Sequence, residues 1–549
     1  RDIAVSVLGA KGKSRRVTLA LIEQFGVAKP PLQATLFGIL SSHEVIPQLT
    51  ALRLSVLDSQ SVSMRAQALH QLARVNHRVV ASRAPLMAAD EEVHKNASAS
   101  ALVFFSLGTV LGRSTLPAFL KLGRKRSRVV DSHWRSLLAG HQKEVLPLVA
   151  GPALALPDPE HRLIATYLLT RVGSIKAKSK DLAVDGLIKA LRDKSPIVVV
   201  TAMRALVQQR NRRVIPKLEA NLESMNEDIR VQAMFGLHKF KGSSAAWGAR
   251  LLKILKNATG ASRLVALDLV TKMKLRPALS AVRGLFHHEA WQVRSAAYFF
   301  CLQVRDKDSV VPLIARLDKE DGRLHAEVLG TLRALTDLTY RDSKAWRGWW
   351  AKEGDDFKLA KLGKKAGVGR SAPAAMTYYS MSLNSNRVGF LVDTSGSMSA
   401  KVGTLGITRL DLAKKALSQV IEKCGEGFHF NLITFGSDGR RWKRELCPAT
   451  VDNRASARQY VKGMRAAGGT NFFEALLMAF EDESIDTIYL LSDGTPTEGD
   501  ITDQQELADE IELWNVKRQI LIHTIAIGAD SPIMRRLAED SGGEHVQRR

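Results

Sequence analysis

Cysteine is scarce in this 549-residue chain: Cys301, Cys424 and Cys447 are too few and too scattered for a disulfide framework or a thiolate metal site. They read as small buried hydrophobes, with a Cys424–Cys447 bridge left open should the protein be exported. Aromatic residues make up only 6% and do not interleave with the basic clusters, which argues against recognition of nucleic-acid bases by stacking. No apolar run approaches the roughly 20 residues that a membrane-spanning helix requires. No signal-peptide pattern opens the chain, which starts at Arg1, and a processed or truncated start is the expectation. Catalytic signatures are missing too. There is no Gly-x-Ser-x-Gly elbow and no His-Glu-x-x-His, and His287-His288-Glu289 reads as a turn. Gly12-Lys13-Ser14 lacks the earlier glycine of a phosphate loop, since Val7 stands there.

Charge is plentiful and uneven. The formal net charge is +25; residues 387–549 hold 20 Lys and Arg against 24 Asp and Glu, and residues 1–386 hold 60 against 31. Basic runs such as Lys11-Gly12-Lys13-Ser14-Arg15-Arg16 and Arg124-Lys125-Arg126-Ser127-Arg128 lie in the first part. Two readings stand side by side: a solvated basic surface, or a surface for an anionic partner such as nucleic acid, acidic polysaccharide or a membrane.

The basic part repeats itself. Arg-x-x-Ala opens successive apolar helical stretches as Arg65/Ala68, Arg162/Ala165, Arg230/Ala233, Arg263/Ala266, Arg294/Ala297 and Arg323/Ala326, with Val199/Ala202 filling one slot. Several are preceded by a second helix opening on apolar-Pro, as at Ile46-Pro47, Ile215-Pro216 and Val311-Pro312, where proline suits the first turn. Each unit is then two short helices joined by a polar turn, and one pair alone cannot bury its apolar face; stacking does so. The pattern resembles the HEAT family of α-solenoids, clearest over 160–340, and implies an all-α HEAT-like solenoid over 1–345. Residues 346–386 read as a tryptophan-rich cap (Trp346, Trp349, Trp350) followed by a basic linker from Gly363 to Ala375.

From Arg387 the pattern turns to strands (388–392, 428–435, 487–491, 520–527) alternating with helices (409–424, 454–465, 472–481, 503–516, 531–541), with a hairpin-like insertion over 441–448. That alternation predicts an α/β, doubly wound (Rossmann-like) domain over 387–549. Three segments follow strands or open helices: Asp393-Thr394-Ser395-Gly396-Ser397, Gly468-Gly469-Thr470-Asn471 and Ser492-Asp493-Gly494. In this order and spacing they resemble the von Willebrand factor A domain. The resemblance implies that Asp393, Ser395, Ser397, Thr470 and Asp493 form a metal-ion-dependent adhesion site. The donor types agree: two carboxylates and three hydroxyls are hard oxygen ligands suited to Mg²⁺ or Mn²⁺ rather than zinc. Against this stands helix capping, with Thr470 as an N-cap near Glu474.

The expected function is therefore non-enzymatic. A Mg²⁺-dependent contact to a protein partner that supplies an acidic residue is expected at the A-type domain, with the solenoid as scaffold or second docking surface. Alternatives are an anion- or nucleic-acid-binding solenoid with a structural A-type domain, or, from the family, an adaptor subunit of a separate ring ATPase. The pairing of the two parts resembles a bacterial arrangement.

Overall fold

The computed structural model describes residues 14–124, 128–172, 177–360, 376–402 and 406–548. The basic positions 11–13 and 125–127 and the 363–375 linker lie outside them. The chain divides into two compact units, Arg1–Val214 and Ile215–Arg549.

In the first unit the described elements are helical. Their starts follow local chemistry: Ser14, Ser61 and Asp158 cap the helices Arg15–Val27, Val62–Arg74 and Pro159–Thr170 through side-chain oxygens. Proline sits in the first turn of Pro30–Leu40, Pro47–Val56 and Pro196–Gln208. The helix Val62–Arg74 packs on Ala97–Gly108, and Pro159–Thr170 packs on Pro196–Gln208.

The second unit begins with four longer helices, Glu227–Lys241, Gly260–Lys272, Trp291–Val304 and Gly322–Thr336, each packed against the next. Other helices, among them Ala245–Asn257 and Val310–Arg316, pack beside them as partners. The period shows in the backbone as well. Positive φ recurs at Arg210, Gly242, Lys274, Arg305 and Asp337, at the ends of successive helices, where a left-handed residue turns the chain back. Ala68, Ala165, Ala202, Ala233, Ala266 and Ala297 are fully buried, as small residues at helix contacts should be.

The repeat arginine has a job that the pattern alone does not disclose. Arg162 donates to the carbonyls of Leu156 and Pro157 and to both oxygens of Asp193. Arg230 takes the carbonyls of Ser224 and Met225, and Arg294 those of His288 and Glu289 together with Glu320. Each guanidinium thus closes the turn before its own helix, and Arg162 and Arg294 also pair with an acid some 26 to 31 residues onward. Trp346 and Trp349, on the helix Ser343–Glu353, are buried and meet edge to face; Phe357 packs on Trp349.

Among the described residues nine strands follow: β1 (Thr377–Tyr378), β2 (Met381–Ser382), β3 (Arg387–Asp393), β4 (His429–Phe435), β5 (Gly439–Arg441), β6 (Cys447–Pro448), β7 (Thr487–Ser492), β8 (Leu521–Ile527) and β9 (His545–Arg548). β1 and β2 form a hairpin, and the rest form one sheet in the order β5-β4-β3-β7-β8-β9, with β6 beside β4. The pairings β4–β3–β7–β8–β9 are all parallel. Val388, Phe390 and Val392 of β3 face a core shared with helices Arg409–Lys423 and Val451–Gly463, while Leu391 faces Phe472–Glu481, Gln504–Arg518 and Pro532–Ser541. Helices cover both faces, so the α/β doubly wound expectation holds. Cys301 and Cys424 are buried, Cys447 is half-buried, and all three are free thiols.

Candidate metal centre

The chain leaves β3 for β4 on one side and later returns to β7 on the other, so the sheet order reverses around β3. Ligand sites in such sheets lie at the carboxyl ends of the strands flanking that reversal. Val392 pairs with Leu491, which brings Asp393 at the end of β3 beside Ser492 and Asp493 at the end of β7.

Asp393 is fully buried. One carboxylate oxygen accepts the Ser395 N–H at 2.7 Å and the other accepts the Ser492 hydroxyl at 2.5 Å. Burial pushes its pKa up to about 6; the Ser492 and Ser395 hydrogen bonds oppose the rise and the nearby Asp493 charge adds to it. The Ser395 and Ser397 hydroxyls are 3.0 Å apart, and Ser397 Oγ donates to Asp493 Oδ1 at 2.7 Å. Four of the five sequence-predicted residues are therefore joined in one hydrogen-bonded chain.

Thr470 is buried, and its loop is tied to the others through main chain. Gly396 N–H donates to the Gly468 carbonyl, and Ala467 N–H to the Thr394 carbonyl. Thr470 itself donates its N–H to Thr497 Oγ1, and its carbonyl accepts from Thr497 and Glu498. Its side chain makes no hydrogen bond to the other four among the described residues.

Capping does not account for these hydroxyls. The helix Phe472–Glu481 is capped by Asn471, whose side chain accepts from the Glu474 N–H, and not by Thr470. Ser395 stands at the start of the short turn Gly396–Ser399 without a side-chain capping bond. One of the three glycines is required: Gly468 has φ +75° and a Cβ there would lie 2.4 Å from Ser437 Oγ, whereas a Cβ on Gly469 would meet the exposed Glu498 side chain, which can move aside. Gly396 has ordinary room, its nearest obstacle being the Gly468 carbonyl at 3.4 Å.

One residue escaped the sequence. Arg409, at the first position of helix Arg409–Lys423, donates from a guanidinium nitrogen to Asp493 Oδ2 at 2.6 Å. The loop pair thus already holds a cation, which is what two buried carboxylates require. Ser492, also missed, adjoins Asp493 in sequence and was legible as a neighbour; Arg409 carries no local signal, being 84 residues away. Among the described residues no three of His, Cys, Asp or Glu gather as metal ligands, so this hydroxyl-rich set is the candidate. Its donors fit a hard divalent ion, since the hydroxyls are uncommitted to caps and the buried Asp393 favours a neighbouring positive charge. No histidine bonds Ser395 or Ser397 among the described residues.

The sequence pattern that defines the von Willebrand factor type A domain matches residues 386–546. Over 166 residues the chain is 28% identical to inter-alpha-trypsin inhibitor heavy chain H4 of Homo sapiens, covering 28% of this chain and 17% of that protein. Over 164 residues it is 30% identical to von Willebrand factor A domain-containing protein 3A of Homo sapiens, covering 29% of this chain and 13% of that one. The chain therefore spans less than a fifth of the length of these curated relatives. A solved von Willebrand factor type A structure from Catenulispora acidiphila is 23% identical with a TM-score of 0.26, covering 30% of this chain and 38% of that one. Residues 386–546 are a von Willebrand factor type A domain, set behind a helix-rich N-terminal region.

Proposed function

We propose that this protein is a non-enzymatic scaffold whose A-type domain recognises an acidic residue of a protein partner through a bound Mg²⁺ or Mn²⁺. Asp393, Ser395, Ser397, Thr470 and Asp493 would hold the ion. When bound there, the metal supplies a Lewis-acidic position for an incoming carboxylate. The chain's own residues do the rest. Asp393 and Asp493 provide the negative charge, the three hydroxyls add donors without charge, and Ser492 with the Ser395 N–H fixes the Asp393 carboxylate. The observation that carries the reading is the release of Ser395 and Thr470 from capping duty while Ser395, Ser397 and both aspartates stay within one hydrogen-bonded cluster. In the same reading residues 1–345 are a HEAT-like solenoid serving as a second interaction surface, 346–386 a cap and linker, and 387–549 the metal-binding domain. The recurrence of positive φ at Arg210, Gly242, Lys274, Arg305 and Asp337 and the buried repeat alanines support the solenoid part.

A pull-down from the source cell extract separates this reading from its rival. Capture that is lost in EDTA and restored by Mg²⁺, yet survives moderate salt, supports metal-mediated recognition. Capture that ignores EDTA and falls steeply with salt assigns the binding to the basic helical region instead.

A further inference from the structure

The first unit contains a cleft that the metal site does not explain. It has a volume of about 760 Å³ and lies among the helices Pro30–Leu40, Pro47–Val56, Val62–Arg74 and Ala97–Gly108. That is within the size range of small-molecule sites, roughly 300–1,000 Å³. Its wall is polar and carries positive charge. Ser41, Ser42, Gln67, Gln71 and His70 line it, Arg74 stands at an exposed edge, and no Asp or Glu is among the lining residues.

At its wall sits Arg53, which is only 2% exposed. Its Nε donates to Gln71 Oε1 at 2.6 Å, and Gln71 is itself buried. Neither terminal guanidinium nitrogen has a hydrogen-bond partner, and no carboxylate lies within ion-pair distance among the described residues. The buried Arg323 pairs with Glu327, and the half-buried Arg162 and Arg294 pair with Asp193 and Glu320. A buried charge without a counter-charge is costly, and Arg is the residue whose planar fork matches an oxyanion through two parallel N–H bonds. Its place in the last turn of Pro47–Val56 gives some compensation from the helix carboxyl end, but a helix end is a fraction of one charge. Burial accordingly holds the Arg53 guanidinium below its ordinary range.

We propose that this cleft binds a small organic anion whose phosphate or carboxylate group is received by Arg53, with Gln71 orienting the guanidinium and Arg74 adding charge at the edge. Gln71 accepts from Nε, which leaves the two terminal nitrogens of this cleft-lining arginine for a ligand. The Ser41 and Ser42 hydroxyls donate to the Gly38 and Ile39 carbonyls, which leaves the Gln67 amide on the lining as a neutral donor group, and His70, pushed down to about 4 by burial, faces the cleft as a neutral ring. The site draws on no residue of the Asp393–Asp493 cluster, so the two assignments stand or fall separately.

The test is calorimetric titration of the full chain with inorganic phosphate and, separately, with succinate, at matched ionic strength, followed by thermal unfolding with and without each anion. One equivalent of at least one anion should bind the parent and raise an unfolding transition by several degrees. Phosphate binding alone would assign a phosphate ester, succinate binding alone a carboxylate. Arg53→Met should bind at least tenfold more weakly and lose the shift. It should fold no less stably than the parent without anion, because it removes an uncompensated buried charge. Asp393→Ala should keep the full response. Equal responses from the parent and Arg53→Met, or no binding of either anion by the parent, would overturn the proposal.

Discussion

Arg323, on the last of the four stacked helices, donates from one guanidinium nitrogen to the main-chain oxygen of Asp486 at 2.5 Å. The same nitrogen reaches the Gln519 carbonyl at 2.7 Å, while the rest of the side chain bonds Glu327 and Ser295 and lies over Trp291. At Arg162, Arg230 and Arg294 the corresponding arginine closes the turn before its own helix; here it clamps the amino ends of β7 and β8 instead. The final repeat is thereby fastened to the sheet by the position that elsewhere fastens a repeat to itself.

Replacing Arg323 by Met should therefore cost the second unit about 3 kcal/mol, because two buried carbonyls and the Glu327 carboxylate lose a charged donor. Urea unfolding monitored by tryptophan fluorescence checks it. A loss no larger than that of an exposed substitution such as Arg347→Met would show that the clamp adds nothing.

Gly468→Ala should disturb the loops of the proposed metal site and Gly396→Ala should not. The first forces a left-handed residue, costing about 1–2 kcal/mol, and drives a methyl group onto Ser437 Oγ. The second finds ordinary room. Melting temperatures and Mg²⁺ affinities of the two variants, measured side by side, should diverge, with only Gly468→Ala weakened in both.

Arg409 is ion-paired with Asp493, and in the proposed reading a guanidinium there competes with a metal cation. Arg409→Gln should accordingly tighten Mg²⁺ binding, on the order of tenfold, as expected for removing one partly screened charge at contact distance. Weaker Mg²⁺ binding in the variant would assign Arg409 a supporting role in the site.

His523 lies in β8, stacked on Tyr489, and accepts the Glu544 N–H on Nδ1 at 3.1 Å, a bond only the neutral ring can accept. Burial first, and the Arg323 charge second, push its pKa down to about 4. Below about pH 6.5 the unfolded chain takes up a proton that the folded chain refuses. Stability therefore falls with pH until about pH 4, with this group contributing about 2 kcal/mol of loss by pH 5. Chemical denaturation at pH 7.5 and pH 5 should show a shallower decline in His523→Gln than in the parent.

Much of the sheet domain was legible because its strands are continuous apolar runs. The expected segments 388–392, 428–435, 487–491 and 520–527 coincide with β3, β4, β7 and β8 to within two residues. β9 was not foreseen, since His545–Arg548 is short, polar and at the sheet edge. The two aspartates and three hydroxyls could be picked out from three short motifs, but not the order of bonds among them. Thr470 as a helix cap was a fair local reading that lost to its neighbour Asn471, and only the loop geometry decides between adjacent residues. Arg409 and Arg53 were invisible for one reason: each matters through what it faces across the fold, and neither has a sequence neighbour that marks it.

The most direct test is isothermal titration of Mg²⁺ into the full-length chain and into Asp393→Ala, with matched unfolding curves to verify that both are folded. The account predicts one Mg²⁺ per chain in the parent and no measurable binding in the variant. Equal binding by the two proteins, or none by a folded parent, would contradict it.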